Sequence, residues 1–113
     1  MNILQSIVHP VRDLDAAKAV HIALLGIEPH TDRPYYVGFN MGGVEIGLDP
    51  KGHEKGLRAP VPYFRVADLD TALAEVMEAG AQISGQSNDV GGGTCIATVT
   101  DADGNTLGLI QSG

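Results

Sequence analysis

Residues 11–15 read VRDLD, and the same pattern returns as VADLD at residues 66–70. A shorter match follows each copy, since residues 46–48 read IGL and residues 107–109 read LGL. A self-similar period of this length is typical of a supersecondary unit that one chain uses twice. Two such copies can bury against each other surface that neither could bury alone. The repeat therefore predicts two related halves, with a ligand site where the halves meet.

Each copy of the repeat predicts the beginning of a helix. Asp13 and Asp68 are residues of the type that accepts hydrogen bonds from the free N–H groups at a helix N-terminus. The first predicted helix covers residues 14–25, and the second ends before Gly80. A β-branched and apolar run at residues 3–11 precedes the first helix and predicts a strand.

Four short runs after the helices have the composition of strands: residues 35–41, 44–49, 94–101 and 106–111. Gly42-Gly43 joins the first two runs and suits a two-residue hairpin turn with positive φ. Asp103-Gly104 is a similar hairpin signal between the last two runs. Each half therefore reads as a strand, a helix and two or three antiparallel strands.

These elements predict the fold class and the domain organisation. The class is α+β, with two βαβββ modules in a single domain of 113 residues. Module 1 covers about residues 1–50, a polar linker covers residues 51–59, and module 2 covers about residues 60–113. A chain of this length can remove most of its unfolded-state surface from water.

Composition and charge narrow the functions that the chain can have. Hydrophobic residues make up 43% and charged residues 19%, as in ordinary globular proteins, and no window approaches the ~18 consecutive apolar residues of a membrane span. No secretory signal is visible at the N-terminus, and the single Cys95 excludes an intrachain disulfide, so we expect a cytoplasmic protein. The net charge of −7 argues against nucleic acid as a partner and suits either solubility or a cationic ligand.

The chain resembles the vicinal oxygen chelate superfamily over essentially its whole length. The resemblance rests on the two βαβββ units, on the Val-x-Asp-Leu-Asp repeats, and on the sequence DADGN at residues 101–105 before the last strand. The superfamily includes glyoxalase I, extradiol dioxygenases, fosfomycin-resistance enzymes and bleomycin-binding proteins. The resemblance implies concave mixed sheets that form a shared cleft, with His or Glu metal ligands on the first and last strands of each half.

Four residues stand where the resemblance places those metal ligands: Ser6, Gly47, Val61 and Gly108. None of them supplies an imidazole or a carboxylate, whereas a transition metal in a protein needs about three such donors or more. The resemblance and this departure from it together predict a cleft without a metal site and a protein without a cofactor.

Alternation of side chains along a strand identifies the residues that line the expected cleft. Eight of them are predicted to contact the ligand: Ser6, Tyr36, Asn40, Glu45, Asp49, Tyr63, Arg65 and Val99. Arg65 can bind a carboxylate or a phosphate through two parallel hydrogen bonds, and the tyrosines can stack on a flat ligand. Alternatively, Arg65 forms an internal ion pair with Glu45 or Asp49.

The histidines and the cysteine are weaker candidates. His9 and His21 lie on the helix side and are predicted to be packing residues. His30 and His53 lie in turns, where we expect them to be solvated. Cys95 shares the predicted cleft register of Val99 and is best explained as a small packing residue.

Two functions fit these observations. The first is a metal-free small-molecule-binding protein of the glyoxalase/bleomycin-resistance type, which sequesters an aromatic or cationic compound or an antibiotic. The alternative is a glyoxalase-like lyase or isomerase, or another enzyme that uses non-standard cleft residues such as Glu45, Asp49 and His53. The expected partners are a small-molecule ligand and a second copy of the chain, because the resemblance implies a homodimer. Neither nucleic acid nor a membrane is an expected partner.

Overall fold

The computed structural model describes residues 1–87 and 92–112. These residues form two α-helices, a short 3₁₀ helix and eight strands, in the following order: β1 (Ile3–Pro10), α1 (Leu14–Leu25), β2 (Thr31–Arg33), β3 (Tyr36–Met41), β4 (Val44–Asp49), the 3₁₀ helix (His53–Lys55), β5 (Val61–Arg65), α2 (Leu69–Glu78), β6 (Gln82–Ser87), β7 (Cys95–Thr100) and β8 (Thr106–Gln111). Neither α-helix within this described part has the length and apolar character that crossing a membrane requires.

The chain divides into two compact units. The first unit is Ser6–Val61, and the second unit consists of Met1–Gln5 together with the chain from Pro62 onward. In the first unit the strands lie in the order β2-β3-β4-β1, and only β4 and β1 are parallel. In the second unit the order is β5-β8-β7-β6, and only β5 and β8 are parallel. The α+β class with two βαβββ modules is confirmed, while the shared cleft stays a prediction.

Both helices begin, and α1 ends, for the reasons that the sequence suggested. The Asp13 side chain accepts a hydrogen bond from the backbone N–H of Ala16 at 3.0 Å. The Asp68 side chain likewise accepts one from the backbone N–H of Thr71 at 3.1 Å. At the end of α1, Gly26 takes the left-handed conformation that is common at helix C-termini. The predicted caps of both helices are therefore confirmed.

One core lies beneath the helix of each unit. In the first unit the fully buried side chains are Val37, Phe39 and Leu48, with α1 packed against them. In the second unit the buried cluster consists of these residues: Val66, Leu69, Leu73, Ala97, Val99 and Leu109. Because successive strand residues point to opposite faces, a buried Leu48 and a buried Leu109 place their preceding residues on the face of the sheet opposite the helix. We call that surface the helix-free face of each unit.

The prediction for the first hairpin turn is confirmed, whereas the prediction for the second is wrong. In the first unit Met41 pairs with Val44, and Gly42 and Gly43 both have positive φ, so the predicted two-residue turn is confirmed. In the second unit Thr100 pairs with Thr106, so five residues rather than two form the connection. The length of the second turn was therefore predicted wrongly.

The side chain of Asp101 explains the longer loop. One of its carboxylate oxygens accepts hydrogen bonds from the backbone N–H groups of Asp103 and Asn105, at 3.0 and 2.9 Å. The other oxygen accepts a third bond, from the side-chain amide of Asn105 at 3.1 Å. Aspartate commonly holds loops in this way, by bonding to backbone groups a few residues ahead. The loop spans residues 101–105 because these three hydrogen bonds to the Asp101 carboxylate fix its conformation.

The longer loop reverses the predicted faces of β7. A shift of one residue in strand pairing turns every side chain to the opposite face. Val99 pairs with Leu107 and is 1% exposed within the core, so its predicted place among the cleft residues is wrong. Cys95 also packs against this core, in agreement with its interpretation as a packing residue. Thr98, which pairs with Gly108, takes the place on the helix-free face that was assigned to Val99.

Candidate functional site

A tyrosine ring covers the glycine of β4 on the helix-free face of the first unit. A Cβ atom built on Gly47 would lie 2.1 Å from the hydroxyl oxygen of Tyr36 and 2.8 Å from its Cζ. Gly38, which pairs with Gly47, is also close to the ring: a Cβ there would lie 3.1 Å from the Cε2 of Tyr36. Because both glycines lack a side chain, the Tyr36 ring can pack directly against the backbone of the two strands.

The tyrosine hydroxyl reaches the carboxylate of Glu45. Tyr36 Oη donates a hydrogen bond to Glu45 Oε2 at 2.5 Å. The other carboxylate oxygen, Oε1, lies 2.7 Å from the Nε2 atom of His30. The Glu45 side chain is 33% exposed and that of His30 is 47% exposed, so both remain open to contact from outside the first unit's own fold. We call these three side chains the His30–Glu45–Tyr36 cluster.

The second ring nitrogen of His30 has a partner that is consistent with one tautomer. Thr31 Oγ1 lies 3.1 Å from His30 Nδ1. A neutral imidazole carries one donor and one acceptor nitrogen. With the proton on Nε2, the ring donates to Glu45, and Nδ1 accepts from the Thr31 hydroxyl. The cluster is thus a continuous hydrogen-bonded chain from Thr31 to Tyr36 with the carboxylate in its middle.

The second unit repeats the glycine and the tyrosine without the carboxylate. Tyr63 pairs with Gly108 across β5 and β8. A Cβ atom on Gly108 would lie 2.2 Å from Cδ1 of Tyr63, 2.5 Å from its Cε1 and 2.7 Å from its Cγ. Thr106, two residues before Gly108, stands where Glu45 stands relative to Gly47. The equivalent surface of the second unit therefore carries a hydroxyl instead of a charge.

The other predicted site residues are distributed among several roles. Ser6 is buried and pairs with Glu45 across β1 and β4. Asn40 is exposed, and its side chain accepts a hydrogen bond from Gly43 N at the hairpin turn. Arg65 is exposed, and among the described residues of the second unit it forms no ion pair with a carboxylate. Of the predicted set, Tyr36 and Glu45 come together in one hydrogen-bonded cluster.

Asp49 serves the loop after β4. Its carboxylate is buried and accepts hydrogen bonds from the backbone N–H of Lys51 at 2.9 Å and from Lys55 Nζ at 2.8 Å. Lys55 is therefore the cationic partner of Asp49 within the first unit, and the alternative of an ion pair with Arg65 of the second unit stays a prediction. With its oxygens engaged in this way, Asp49 stabilises the chain around it.

The four positions of the expected metal ligands do not fit a metal. Ser6 offers one buried hydroxyl, Val61 offers no donor atom, and the side-chain space of the two glycines is filled by tyrosine rings. Among the described residues, no group of three or more His, Cys, Asp or Glu side chains is arranged to hold a metal ion. We therefore assign no metal-dependent chemistry to these positions.

Two of the remaining histidines pack on the helix side, as predicted. The rings of His9 and His21 meet edge to face with centroids 5.3 Å apart, and His21 also stacks on Phe39 at 6.0 Å. His21 Nδ1 lies 2.8 Å from the carbonyl oxygen of Ala17. Burial first, and then the neighbouring His21, lower the pKa of His9 below the usual histidine range. Both residues are half-buried beside the core residue Phe39 of the first unit.

Reasoning from the sequence missed His30 as part of the cluster. His30 precedes β2, a strand of only three residues with the sequence TDR. The methyl group of Thr31 is the one apolar branch in this strand, so its composition gives little indication of a strand. Once β2 pairs with β3, the backbone N–H of His30 donates to the carbonyl oxygen of Gly38 at 2.9 Å, and its ring comes to rest beside Glu45. The sequence carries only a weak signal for this short strand, so a solvated turn was the natural expectation.

Comparison with protein families and solved structures gives one consistent result. The model of the Glyoxalase/Bleomycin resistance protein/Dioxygenase superfamily matches residues 3–109. No curated protein matches the chain. Among solved structures, a member of the same superfamily from Vibrio splendidus is 17% identical with a TM-score of 0.72, and the match covers 98% of each chain.

Two further structures with enzyme names are similar in fold. One, named NAD-dependent benzaldehyde dehydrogenase from Legionella pneumophila, has a TM-score of 0.76 at 17% identity over 96% of this chain and 98% of that chain. The other, methylmalonyl-CoA epimerase from Mycobacterium tuberculosis, has a TM-score of 0.63 at 17% identity over 97% and 87%. At this level of identity the likeness concerns the fold.

Proposed function

Because the chain belongs to the glyoxalase/bleomycin resistance protein/dioxygenase superfamily, we propose that it binds a small cationic aromatic molecule at the His30–Glu45–Tyr36 cluster. The observation that carries this proposal is the carboxylate of Glu45, which is one-third exposed and held between a phenol and an imidazole. The role of the protein is sequestration, in line with the hypothesis of a binding protein drawn from the sequence.

The chemistry of the cluster favours a cation that can donate hydrogen bonds. An ionised carboxylate has about four lone-pair positions, and Tyr36 and His30 each use one at Glu45. The remaining positions can accept from an ammonium or amidinium group of the ligand. The flat rings of Tyr36 and His30 on either side offer faces for stacking and for cation–π attraction. The net charge of −7 attracts cations to the protein over a longer range.

A ligand screen tests this proposal. Thermal stability is measured in the presence of aromatic amines, quaternary ammonium compounds and bleomycin. A ligand present at 100 times its Kd should add about 2.7 kcal/mol to the free energy of unfolding. The Glu45→Gln variant should lose this stabilisation, because the charge that holds the cation is gone. The matched control is Glu28→Gln, which removes the same charge from an exposed residue outside the cluster.

Two results of this screen would contradict the proposed site. If no cationic aromatic compound stabilises the protein, or if Glu45→Gln and Glu28→Gln respond to the ligand equally, the proposed site is wrong. The Tyr36→Phe variant refines the result. It keeps the ring and removes only the hydrogen bond to Glu45, so ligand affinity should fall by less than in Glu45→Gln.

A second candidate function is supported by the 2.7 Å contact between His30 and Glu45. A carboxylate and an imidazole in contact can pass a proton, which is what an isomerase needs to remove and return a proton next to a carbonyl group. Such an enzyme would work with Glu45 as the base and without a metal. Solvent deuterium incorporation into small carbonyl compounds, followed by NMR for wild type and Glu45→Gln, tests this alternative. Incorporation that is equal in both proteins rules it out.

We also propose that the chain is a cytoplasmic homodimer. Support for the dimer comes from the superfamily resemblance, and support for the reducing compartment comes from the single cysteine. Sizing chromatography with light scattering at micromolar concentration should give about twice the chain mass of 11.8 kDa. A mass of one chain contradicts the dimer.

A further inference from the structure

The first unit contains a cavity of about 530 Å³ beside the loop that follows β4. Its lining residues are Arg12, His53, Gly56, Leu57 and Arg58. Small-molecule sites commonly have volumes of ~300–1,000 Å³, so the cavity has the size of a ligand site. Glu45 is the second residue of β4, whose far end at Asp49 leads into this loop, and the four residues from Glu45 to Asp49 correspond to about 13 Å of strand. The cavity is therefore separate from the His30–Glu45–Tyr36 cluster.

Backbone contacts hold the two sides of the cavity together. The carbonyl oxygen of Asp49 accepts hydrogen bonds from the N–H of Val11 and from the N–H of Gly52, both at 3.1 Å. Leu57 N donates to the carbonyl oxygen of Gly52 at 3.0 Å and closes the loop. These bonds fix the segment that carries Arg12 against the loop that carries Arg58.

Gly52 lets the loop approach β1 closely. A Cβ atom on Gly52 would lie 2.6 Å from the Cβ of Pro10 and 2.8 Å from its Cα. Only a residue without a side chain permits this distance from the end of β1. The walls of the cavity are thus positioned by packing as well as by hydrogen bonds.

The charge of the cavity is opposite to that of the protein. The chain has 14 acidic residues and 7 Lys and Arg, yet none of the cavity-lining residues is acidic. Nearby lysines are already neutralised, since Lys55 pairs with Asp49 at 2.8 Å and Lys51 pairs with Glu54 at 3.6 Å. Across residues 1–87 and 92–112, Arg12 and Arg58 form no ion pair. Two uncompensated guanidinium groups therefore share one cavity.

The histidine in the wall has an unmet hydrogen bond. His53 was expected to be solvated, but its Nδ1 atom is buried and has no partner among the described residues. A buried polar atom without a partner costs free energy, and such atoms are rare in folded proteins. A polar ligand that enters the cavity and lets the ring turn towards it would supply the missing partner.

We propose that this cavity binds the phosphate group of a small phosphorylated molecule. Two guanidinium groups match a phosphate monoester, which carries about −1.5 to −2 charges at neutral pH. Arginine also pairs with phosphate through two parallel hydrogen bonds, which gives direction as well as attraction. A monocarboxylate would leave one of the two positive charges without a counter-charge.

NMR titration with phenyl phosphate and with benzoate tests this proposal, because the two probes share a ring and differ in the anionic group. Phenyl phosphate should bind saturably and shift the backbone amide signals of Arg12 and residues 53–58. Benzoate should bind at least about tenfold more weakly. Arg12→Gln and Arg58→Gln should each weaken phenyl phosphate binding about tenfold, which is the usual effect of losing a charge-assisted hydrogen bond.

Three control variants keep the test specific. Arg33→Gln removes the same charge from an exposed residue of β2 that does not line the cavity, and it should change the Kd less than twofold. Arg58→Lys keeps the charge but not the fork of donors, and it should fall between wild type and Arg58→Gln. Glu45→Gln should leave phenyl phosphate binding unchanged, so a failure of the cluster proposal and a failure of this one give different results.

Several outcomes would overturn the cavity proposal. These are the absence of saturable binding at about 20 mM phenyl phosphate, equal affinity for benzoate, and equal weakening by Arg33→Gln and Arg58→Gln. The last result would mean that the anion is attracted by general surface charge. The arginine variants change exposed side chains, Glu45→Gln changes one that is 33% exposed, and the dispersion of the amide signals verifies that each variant remains folded.

Discussion

The first and second units each place a tyrosine ring over a glycine, but the ring comes from a different neighbouring strand. Over Gly47 the ring is that of Tyr36, from the antiparallel neighbour β3, and its hydroxyl end lies above the glycine. Over Gly108 the ring is that of Tyr63, from the parallel neighbour β5, and its Cδ1–Cε1 edge lies above the glycine. Related units have thus filled equivalent spaces by different routes.

This difference decides where the polar group of each tyrosine goes. In the first unit the ring runs along the strands and its hydroxyl meets Glu45. In the second unit the residue equivalent to Glu45 is Thr106, so no carboxylate stands at that position. The comparison teaches that one arrangement, a glycine under an aromatic ring, occurs with a carboxylate at the position of Glu45 in one unit and with a hydroxyl at the equivalent Thr106 in the other.

The largest expected effect tests the face assignment on which the comparison depends. Val99→Asp places a charge in the core of the second unit and should destabilise the protein by more than about 3 kcal/mol, because the buried charge has no partner. Thr98→Asp, on the opposite face, should cost at most about 1 kcal/mol. Urea denaturation measures both. If Thr98→Asp is the more damaging of the two, the register of β7 is the one first predicted from the sequence.

The second test contrasts the two glycines directly. Gly108→Ala forces its Cβ against the Cδ1, Cε1 and Cγ atoms of Tyr63. This part of the ring is close to the backbone and has little freedom to move, so the change should cost about 1–3 kcal/mol. Gly47→Ala meets the far end of Tyr36, which can swing away, and should cost about 1 kcal/mol through the lost bond to Glu45. Denaturant unfolding provides the two values, and a larger cost for Gly47→Ala would contradict the contrast.

A double variant sharpens the same contrast. If the cost of Gly108→Ala comes from the ring, then Tyr63→Ala combined with Gly108→Ala should be more stable than the sum of the single changes predicts. Additive costs would mean that the glycine is needed for another reason.

The smallest expected effect is a difference between the two units in the pH at which their stability begins to fall. His9 is half-buried beside the core of the first unit and has a lowered pKa, so the unfolded chain takes up a proton at this residue more readily than the folded chain does. Its contribution to stability is complete above about pH 6.5 and is lost as the pH falls below that value. Thermal unfolding between pH 7.5 and 5 should show a decline that is shallower in His9→Gln. Identical slopes in the two proteins would contradict this assignment.

The acidic groups of the second unit respond at a lower pH. A hydrogen bond from the Thr71 hydroxyl, and then one from the Thr71 N–H, lower the pKa of Asp68. Bonds from Asn105, first from its side chain and then from its N–H, lower the pKa of Asp101. Stability that depends on these carboxylates is present above about pH 4 and is lost below it. Hydrogen exchange should therefore show the core amides of the first unit weakening at a higher pH than those of the second.

Much of the fold could be predicted because its signals are local. Asp13 and Asp68 cap their helices by accepting hydrogen bonds from residues three positions ahead. Gly42 and Gly43 both adopt the positive φ angles that a two-residue turn requires. The apolar alternation around Leu48 and Leu109 identifies the core side of each unit. All of these depend on neighbours that a reader of the sequence can see.

The errors arose where side-chain hydrogen bonds and strand pairing, rather than the preference of a single residue, decide the structure. The length of the loop at Asp101 depends on three hydrogen bonds to one carboxylate, and Asp103-Gly104 resembles a shorter turn equally well. That error of one residue moved Val99 to the wrong face. The contact of His30 with Glu45 depends on the pairing of a short strand with weak intrinsic preference, which the composition of residues 31–33 does not reveal.

The ring above each glycine also constrains how this protein can evolve. A histidine or glutamate introduced at position 47 or 108 would collide with an aromatic side chain already in place. A mutant that regains a chelating group by one substitution is therefore destabilised until the opposing tyrosine is replaced as well. Recovery of metal chemistry thus needs two linked mutations in each half in addition to new donors at position 6 or 61, and selection acting one change at a time works against that path.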